Sequence, residues 1–351
     1  MDGSVTMVRI SRCLLIAGIL VLLCSLGLMV LYAYQKELLD GILGVLPPDR
    51  PPDRVALLIA VLGIGLVATG FVMIRPRLLI KREVITEKGP PSVSFLSLRI
   101  GSTTDVGCRR QLNEDSILTI EAQYVFESRV RSHCVMIVGD GMGGHQKGEL
   151  ASSMGVGVVA ETIQPLLVTN GEVDFPAGLK RAIGEANSRI LDYSTNHPEC
   201  AGMGTTLTAA VISESQLVIG HVGDSRAYLI DGNEIMQLTK DHAVVQEMVD
   251  RGEITKEQAR THPKRNIITR VVGYHGQVEA DIYSASLKDG DRVLLCCDGL
   301  TIHLNDDEIK QVVLQNPNPK EASAGLVALA KERGGQDNIS VIVAAVGGIP
   351  N

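Results

Sequence analysis

At residues 135–145 the chain reads Val-Met-Ile-Val-Gly-Asp-Gly-Met-Gly-Gly-His, a short apolar run that stops on an acid set among glycines. The run is long enough for a buried strand and too short for a globular helix. A strand of that kind needs a sheet around it, and it delivers Asp140 to the point where the backbone leaves the core. Gly139, Gly141, Gly143 and Gly144 remove side chains from around the carboxylate, so backbone carbonyls can approach whatever it holds. Hard divalent cations take this kind of oxygen set. Taken alone, the stretch reads more readily as a Gly-Asp-Gly turn between two strands. The acids elsewhere in the chain change that balance.

Asp298 follows the apolar run 294–297, and Asp224 follows 218–223. Asp337 and Asn338 stand directly before a run at 339–344, while Asn113, Glu114 and Asp115 precede a run beginning at Ile117. Each acid is unremarkable singly, because aspartate favours turns. Brought together they would repel one another, raise one another's pKa and need a counter-charge. A pair of divalent ions sharing one carboxylate is a common device for hydrolysing phosphate esters. Arg110 lies four and five residues before Glu114 and Asp115 and can reach the same mouth. Its planar fork can take two phosphate oxygens at once. The same arginine also reads as a surface residue paired with Glu114.

Strand-like runs recur at 117–121, 135–138, 206–212, 217–222, 227–230, 292–296 and 339–344. Helical patterns fall at 149–167, 175–194, 243–251, 306–315 and 320–333. Turns such as Asp231-Gly232-Asn233 join neighbouring strands, and helices arrive in pairs. This predicts an α+β layered domain from about Leu96 to about Val346 rather than alternating βαβ units.

Ahead of that domain, 13–34 and 55–74 carry no charge, and each is long enough to cross a bilayer of about 30 Å as a helix. Arg9 and Arg12 precede the first stretch, and Arg75, Arg77, Lys81 and Arg82 follow the second. Basic flanks on both outer ends predict a hairpin with both termini in the cytoplasm. The layout expected is a cytoplasmic N-terminus at 1–12, spans at 13–34 and 55–74, and a short extracytoplasmic loop at 35–54. A linker at 75–95 then leads to the domain at 96–347, facing the cytoplasm from the cell's inner membrane. The net charge of −7 and 3% aromatic content argue against a nucleic-acid binder. Seven irregularly spaced cysteines, with no CxxC pair, fit a reduced compartment.

Six motifs in order make residues 98–346 resemble the bacterial PPM family, the metal-dependent serine/threonine phosphatases of protein phosphatase 2C type. They are Thr104-Asp105-Val106-Gly107 with Arg110 and Asn113-Glu114-Asp115; Gly139-Asp140-Gly141-Met142-Gly143-Gly144-His145; Gly202-Met203-Gly204-Thr205-Thr206; Gly223-Asp224-Ser225-Arg226; Cys297-Asp298-Gly299-Leu300; and Asp337-Asn338-Ile339. The resemblance implies a four-layer αββα sandwich, two antiparallel sheets flanked by helices, with two or three Mg²⁺ or Mn²⁺ ions at one edge. It implies that Asp140 bridges two ions, with the Gly141 carbonyl on the second and Asp298 and Asp337 completing the first. Glu114 and Asp115 match the acidic pair serving the second ion, Asp224 with Asp298 a weaker third site, and Arg110 the arginine that grips the phosphate. The implied reaction is hydrolysis of phosphoserine and phosphothreonine in proteins by a metal-activated water, with phosphorylated proteins, a serine/threonine kinase and its substrates, as partners.

Met142 stands where eukaryotic members often carry a histidine proposed to protonate the leaving group, so the general acid stays unassigned; His145 is a candidate. Asp241-His242 and residues 251–270, with His262, resemble the family's mobile flap beside the catalytic face. Cys297 stands where serine is common in relatives and reads either as a small packed residue or as an oxidisable neighbour of Asp298. The alternative function is a catalytically silent phosphatase-like scaffold on the same anchor, against which the retained Asp140, Asp298 and Asp337 weigh.

Overall fold

The structure is a computed structural model and describes residues 96–126, 129–143, 146–169, 173–232, 234–274 and 276–348. The expected spans at 13–34 and 55–74, the linker at 75–95 and His145 lie outside the described residues.

The described chain begins with three strands, β1 (Leu96–Asp105), β2 (Asp115–Phe126) and β3 (Arg129–Met142). Helices α1 (Gln146–Leu167) and α2 (Phe175–Asn196) follow. Next come β4 (Gly204–Thr205), β5 (Leu207–Ser213), β6 (Gln216–Val222), β7 (Arg226–Ile230) and β8 (Ile235–Gln237). Two short helices, α3 (Val244–Asp250) and α4 (Lys256–Thr261), lead to β9 (Asp281–Ser286) and β10 (Arg292–Cys296). The chain closes with α5 (Asp298–Thr301), α6 (Asp306–Gln315), α7 (Pro319–Glu332) and β11 (Ile339–Gly348).

One antiparallel sheet has the order β1-β11-β10-β7-β8; the other has the order β2-β3-β5-β6-β9, with β4 paired to β3. Strand periodicity explains how the two sheets pack. In β3, Cys134, Met136 and Val138 face the other sheet, where Leu295, Ile342 and Ala344 meet them. Val135 and Ile137, on the opposite face, pack under α1 and α2 beside Ile163, Leu179 and Ile183. In β11, Ile342, Ala344 and Val346 point to the inter-sheet core, while Val341 and Val343 pack beside Leu326 and Ala330 of α7. A strand buried on both faces has no polar side, which is why these runs are continuously apolar. The layers therefore run helix, sheet, sheet, helix, as the αββα expectation requires.

The sequence missed β1, β4, β8 and β9, as well as α4 and α5. β1, β8 and β9 lie at sheet edges, and in β1 only Leu98 and Ile100 pack against the inter-sheet core. Edge strands need few apolar residues, so their pattern is diluted. The reading of Asp140 as the end of its strand also needs correction. β3 continues through Gly141 and Met142, which leave β2 and pair with Thr205 and Gly204 of β4.

Candidate metal centre

Antiparallel pairing brings the acids to one edge. Asp140 lies opposite Asp115, the first residue of β2. Asp105 ends β1 opposite Ile339, the first residue of β11, and Asp337 sits two residues before that strand. Asp298 follows the end of β10, and Asp224 lies in the turn between β6 and β7. Every one of these strand ends points the same way, so the loops between them crowd around one mouth.

Close backbone packing sets the spacing there. A Cβ on Gly141 would fall 2.1 Å from the carbonyl of Gly148 at the start of α1, and one on Gly299 would fall 1.9 Å from the carbonyl of Asn338. Neither contact tolerates a side chain. Asn338, whose role sequence reading missed, ties three segments together. Its Oδ1 accepts from the Glu114 N–H at 2.8 Å, and its Nδ2 donates to the carbonyls of Val106 at 3.0 Å and Leu112 at 2.9 Å. The Glu114 carbonyl accepts from Gly141 N–H at 3.1 Å and from Ser152 Oγ at 2.6 Å. Asn338 beside Asp337 in the sequence was the available signal, but its partners are more than two hundred residues away.

The mouth is a pocket of about 590 Å³ lined by Arg110, Glu114, Asp140, Gly141, Asp224, Asp298 and Asp337. Carboxylate oxygens of Asp115 and Asp140 lie with the Cys297 sulfur inside a 4.8 Å cluster. All eight site residues expected from the sequence are thus brought together. The pocket is also lined by Asn266, Ile267, Ile268, Thr269, Val271 and Tyr274, at and just beyond the end of the flap-like segment. No described histidine lines the pocket. His262 accepts from Lys264 N–H at 3.1 Å within its own loop, which fits loop stabilisation rather than metal ligation.

The electrostatics are those of acids lacking enough counter-charge. Burial, then the charges of Asp115, Asp298, Asp224 and Asp337, push Asp140 well above the usual carboxylate range. Asp298 is raised in the same way, by burial and then by Asp224 and Asp337. Burial lifts Asp115 to about 6 and, with Asp241 adding to it, Asp224 to about 7. Asp115 Oδ2 and Asp224 Oδ1 are buried and accept no hydrogen bond among the described residues. Arg110 places Nη2 2.8 Å from Asp337 Oδ2 and Nη1 3.8 Å from Glu114 Oε2. Half-exposed at the rim, it is too peripheral to neutralise five inward acids. Hard divalent cations supply the missing charge and take up orphaned carboxylate oxygens, so the residues present fit Mg²⁺ or Mn²⁺.

Cys297 does not join this set as a ligand. Its thiol donates to the Asn338 carbonyl at 3.4 Å and accepts from Ser340 N–H at 3.1 Å. Burial raises its pKa far above normal, and a protonated buried thiol is a poor target for oxidation. Its full burial and its two hydrogen bonds to backbone fit the small packed residue of the two readings.

The family model for protein phosphatase 2C matches residues 110–329. The chain belongs to the protein phosphatase 2C family. It is 37% identical over 240 residues to the serine/threonine phosphatase stp of Listeria monocytogenes, covering 68% of this chain and 92% of that protein. It is 38% identical over 251 residues to PstP of Mycobacterium tuberculosis, covering 72% of this chain and 45% of that protein. Among solved structures, the crystal structure of the M. tuberculosis phosphatase PstP/Ppp superposes with a TM-score of 0.62 at 38% identity, over 71% of this chain and 99% of that one. The PstP catalytic domain solved with two manganese ions superposes with a TM-score of 0.60 at 37% identity, over 72% of this chain and 99% of that one. The two antiparallel sheets and flanking helices are those of the 2C phosphatases.

Proposed function

We propose that this chain is a membrane-anchored, metal-dependent protein-serine/threonine phosphatase using two or three Mg²⁺ or Mn²⁺ ions. The observation that carries the activity is the convergence of Asp115, Asp140, Asp224, Asp298 and Asp337 on one pocket that also holds Arg110. Asp140, the acid most surrounded by the others, would serve both ions. Asp298 and Asp337 would hold one, Glu114, Asp115 and the Gly141 carbonyl would hold the other, and Asp224 with Asp298 would hold a third more weakly. When bound, such ions lower the pKa of water towards neutrality and draw charge off phosphoryl oxygens. Arg110 orients the phosphate through its guanidinium, exchanging Asp337 for the incoming oxygens. The open pocket leaves room for a phosphorylated side chain on a polypeptide, and the partners are phosphorylated proteins made by a serine/threonine kinase.

The full chain purified in detergent is expected to release phosphate from a phosphothreonine peptide with Mn²⁺ present, to stop on chelation by EDTA, and to recover with added Mn²⁺ or Mg²⁺. Turnover that persists in EDTA would refute the metal-dependent reading. Arg110→Ala is expected to raise KM about 10- to 100-fold with a smaller change in kcat, the loss of one charge-assisted pair. An unchanged KM removes Arg110 from phosphate binding.

The anchor is supported by the absence of charge over 13–34 and 55–74 and by the basic residues outside both stretches. With 35–54 as a short extracytoplasmic loop and 96–347 in the cytoplasm, the enzyme works at the cytoplasmic face of the inner membrane, close to membrane-bound kinases and their substrates. Alkaline carbonate should leave the chain in the membrane pellet; its release into the wash would sink the hairpin.

A further inference from the structure

The turn that carries Asp224 is clasped by a residue with no part in the site so far. Gly223, at φ 115°, holds a conformation that side-chain-bearing residues rarely adopt, and a Cβ there would lie 2.5 Å from the Thr206 side chain. Both of its backbone polar groups go to His242. Gly223 N–H donates to His242 Nδ1 at 3.0 Å, and the Gly223 carbonyl, in the peptide bond leading into Asp224, accepts from His242 N–H at 2.7 Å.

A backbone N–H can only donate, so Nδ1 is the acceptor and the ring proton sits on Nε2. That proton goes to Asp281 Oδ2 at 3.1 Å, and Asp281 Oδ1 also accepts from Arg270 Nη1 at 2.8 Å. The His242 carbonyl accepts from Thr269 N–H at 2.7 Å, and Thr269 lines the pocket. The ring is buried, and burial lowers its pKa, which keeps it in the neutral form that an accepting Nδ1 requires. Asp224 Oδ1 meanwhile accepts no hydrogen bond among the described residues, so its own side chain does not fix it in place through that oxygen.

We propose that His242 is a positioning residue whose Nδ1 fixes the Gly223–Asp224 turn so that the Asp224 carboxylate stays presented to the acidic pocket. This rests on the reading of Asp224 as a metal ligand. A histidine that only filled space would pack equally well with either ring nitrogen satisfied. Of the two ring nitrogens only Nδ1 reaches the Gly223–Asp224 turn, whereas Nε2 serves the link to Asp281.

Two substitutions separate the nitrogens. Asparagine places Oδ1 near the position of Nδ1 and keeps the acceptor for Gly223; glutamine places Nε2 near the ring Nε2, keeps the donor to Asp281 and loses that acceptor. In the full chain in detergent, Mn²⁺ binding is read from the free-ion electron paramagnetic resonance signal, with turnover followed in parallel. His242→Gln is expected to raise the Mn²⁺ concentration that half-fills the weakest site about tenfold, equivalent to ~1.4 kcal/mol. His242→Asn is expected to bind Mn²⁺ like the parent, even if both variants melt earlier.

Equal shifts in the two variants, or a shift in His242→Asn, would overturn the proposal, and the asparagine arm decides this whether or not the glutamine variant folds. Asp224→Asn is the control. If it weakens Mn²⁺ binding and His242→Gln does not, the clasp is wrong and the ligand stands. If Asp224→Asn changes nothing, both fall.

Discussion

Asp140→Asn lowers kcat/KM on a phosphothreonine peptide at least about 10³-fold, a loss of roughly 4 kcal/mol of transition-state stabilisation, while the metal-free fold becomes no less stable. The two halves of this expectation have one cause. Asp140 lies opposite Asp115 in the β2–β3 pair and feels the charges of Asp298, Asp224 and Asp337 as well. In the metal-free chain its carboxyl has a pKa raised above that of the unfolded state. A carboxyl shifted upward costs stability above its unfolded pKa, and that cost is relieved as pH falls through the folded value. Asparagine has nearly the same shape and no charge, so it removes the repulsion together with the ligand. Thermal melts in EDTA should therefore put Asp140→Asn at or above the parent, and melts in Mn²⁺ should put it below, because the parent gains binding energy that the variant lacks. Activity within tenfold of the parent would remove Asp140 from the centre of the mechanism.

Arg226→Met lowers the thermal midpoint by about 10 °C, corresponding to roughly 3–5 kcal/mol. Arg226 opens β7 and is largely buried, its side chain 23% exposed against 10% for Asp241. Its Nε lies 2.9 and 3.0 Å from the two Asp241 oxygens, Nη2 makes a third contact at 2.7 Å, and Nη1 reaches Tyr228 Oη at 3.2 Å. Methionine matches the stem and strands the carboxylate, whose remaining side-chain donor is Gln237 Nε2 at 2.9 Å. Breaking a buried pair from one side costs far more than removing both partners. Arg226→Met with Asp241→Leu should accordingly recover more than half of the lost stability. A fall of only a few degrees in the single variant would mean that water reaches Asp241 and screens it. The same arginine is a positive neighbour of Asp224 and Asp298, so its loss should also raise their pKa values further.

Asp140, Asp224, Asp298 and Asp337 were legible because each stands beside a run that is apolar on both faces. Leu294–Cys297 and Val135–Val138 lie in central strands with helices on one side and a sheet on the other, and such runs announce themselves without alternation. Arg110 was legible because its partner Glu114 is four residues away. What escaped depends on contacts that local sequence does not encode. β1 carries Leu98 and Ile100 inward but Arg99 and Gly101 on its other face, where α7 packs so closely that a Cβ at 101 would lie 2.2 Å from the Lys320 nitrogen. That glycine breaks the pattern that would have revealed the strand. Asn338 and His242 act on backbone groups far along the chain, and neither an asparagine nor an Asp-His pair advertises such a partner. The passage of β3 beyond Asp140 was hidden for a related reason: it depends on β4, two residues long, which is too short to leave a periodic signal.

The pairing of β1 with β11 has a consequence for synthesis. Ten residue pairs join the first described strand to the last, from Leu96↔Gly348 to Asp105↔Ile339, and β11 also separates β1 from β10 in the sheet. Until β11 has been made, the β1-β11-β10-β7-β8 sheet has a gap between β1 and β10, and Asp337 lacks the strand that holds it. Asp337 therefore cannot take its place among the other acids before β11 pairs with β1 and β10, so the acidic cluster closes only when strands from both sides of the sheet have met.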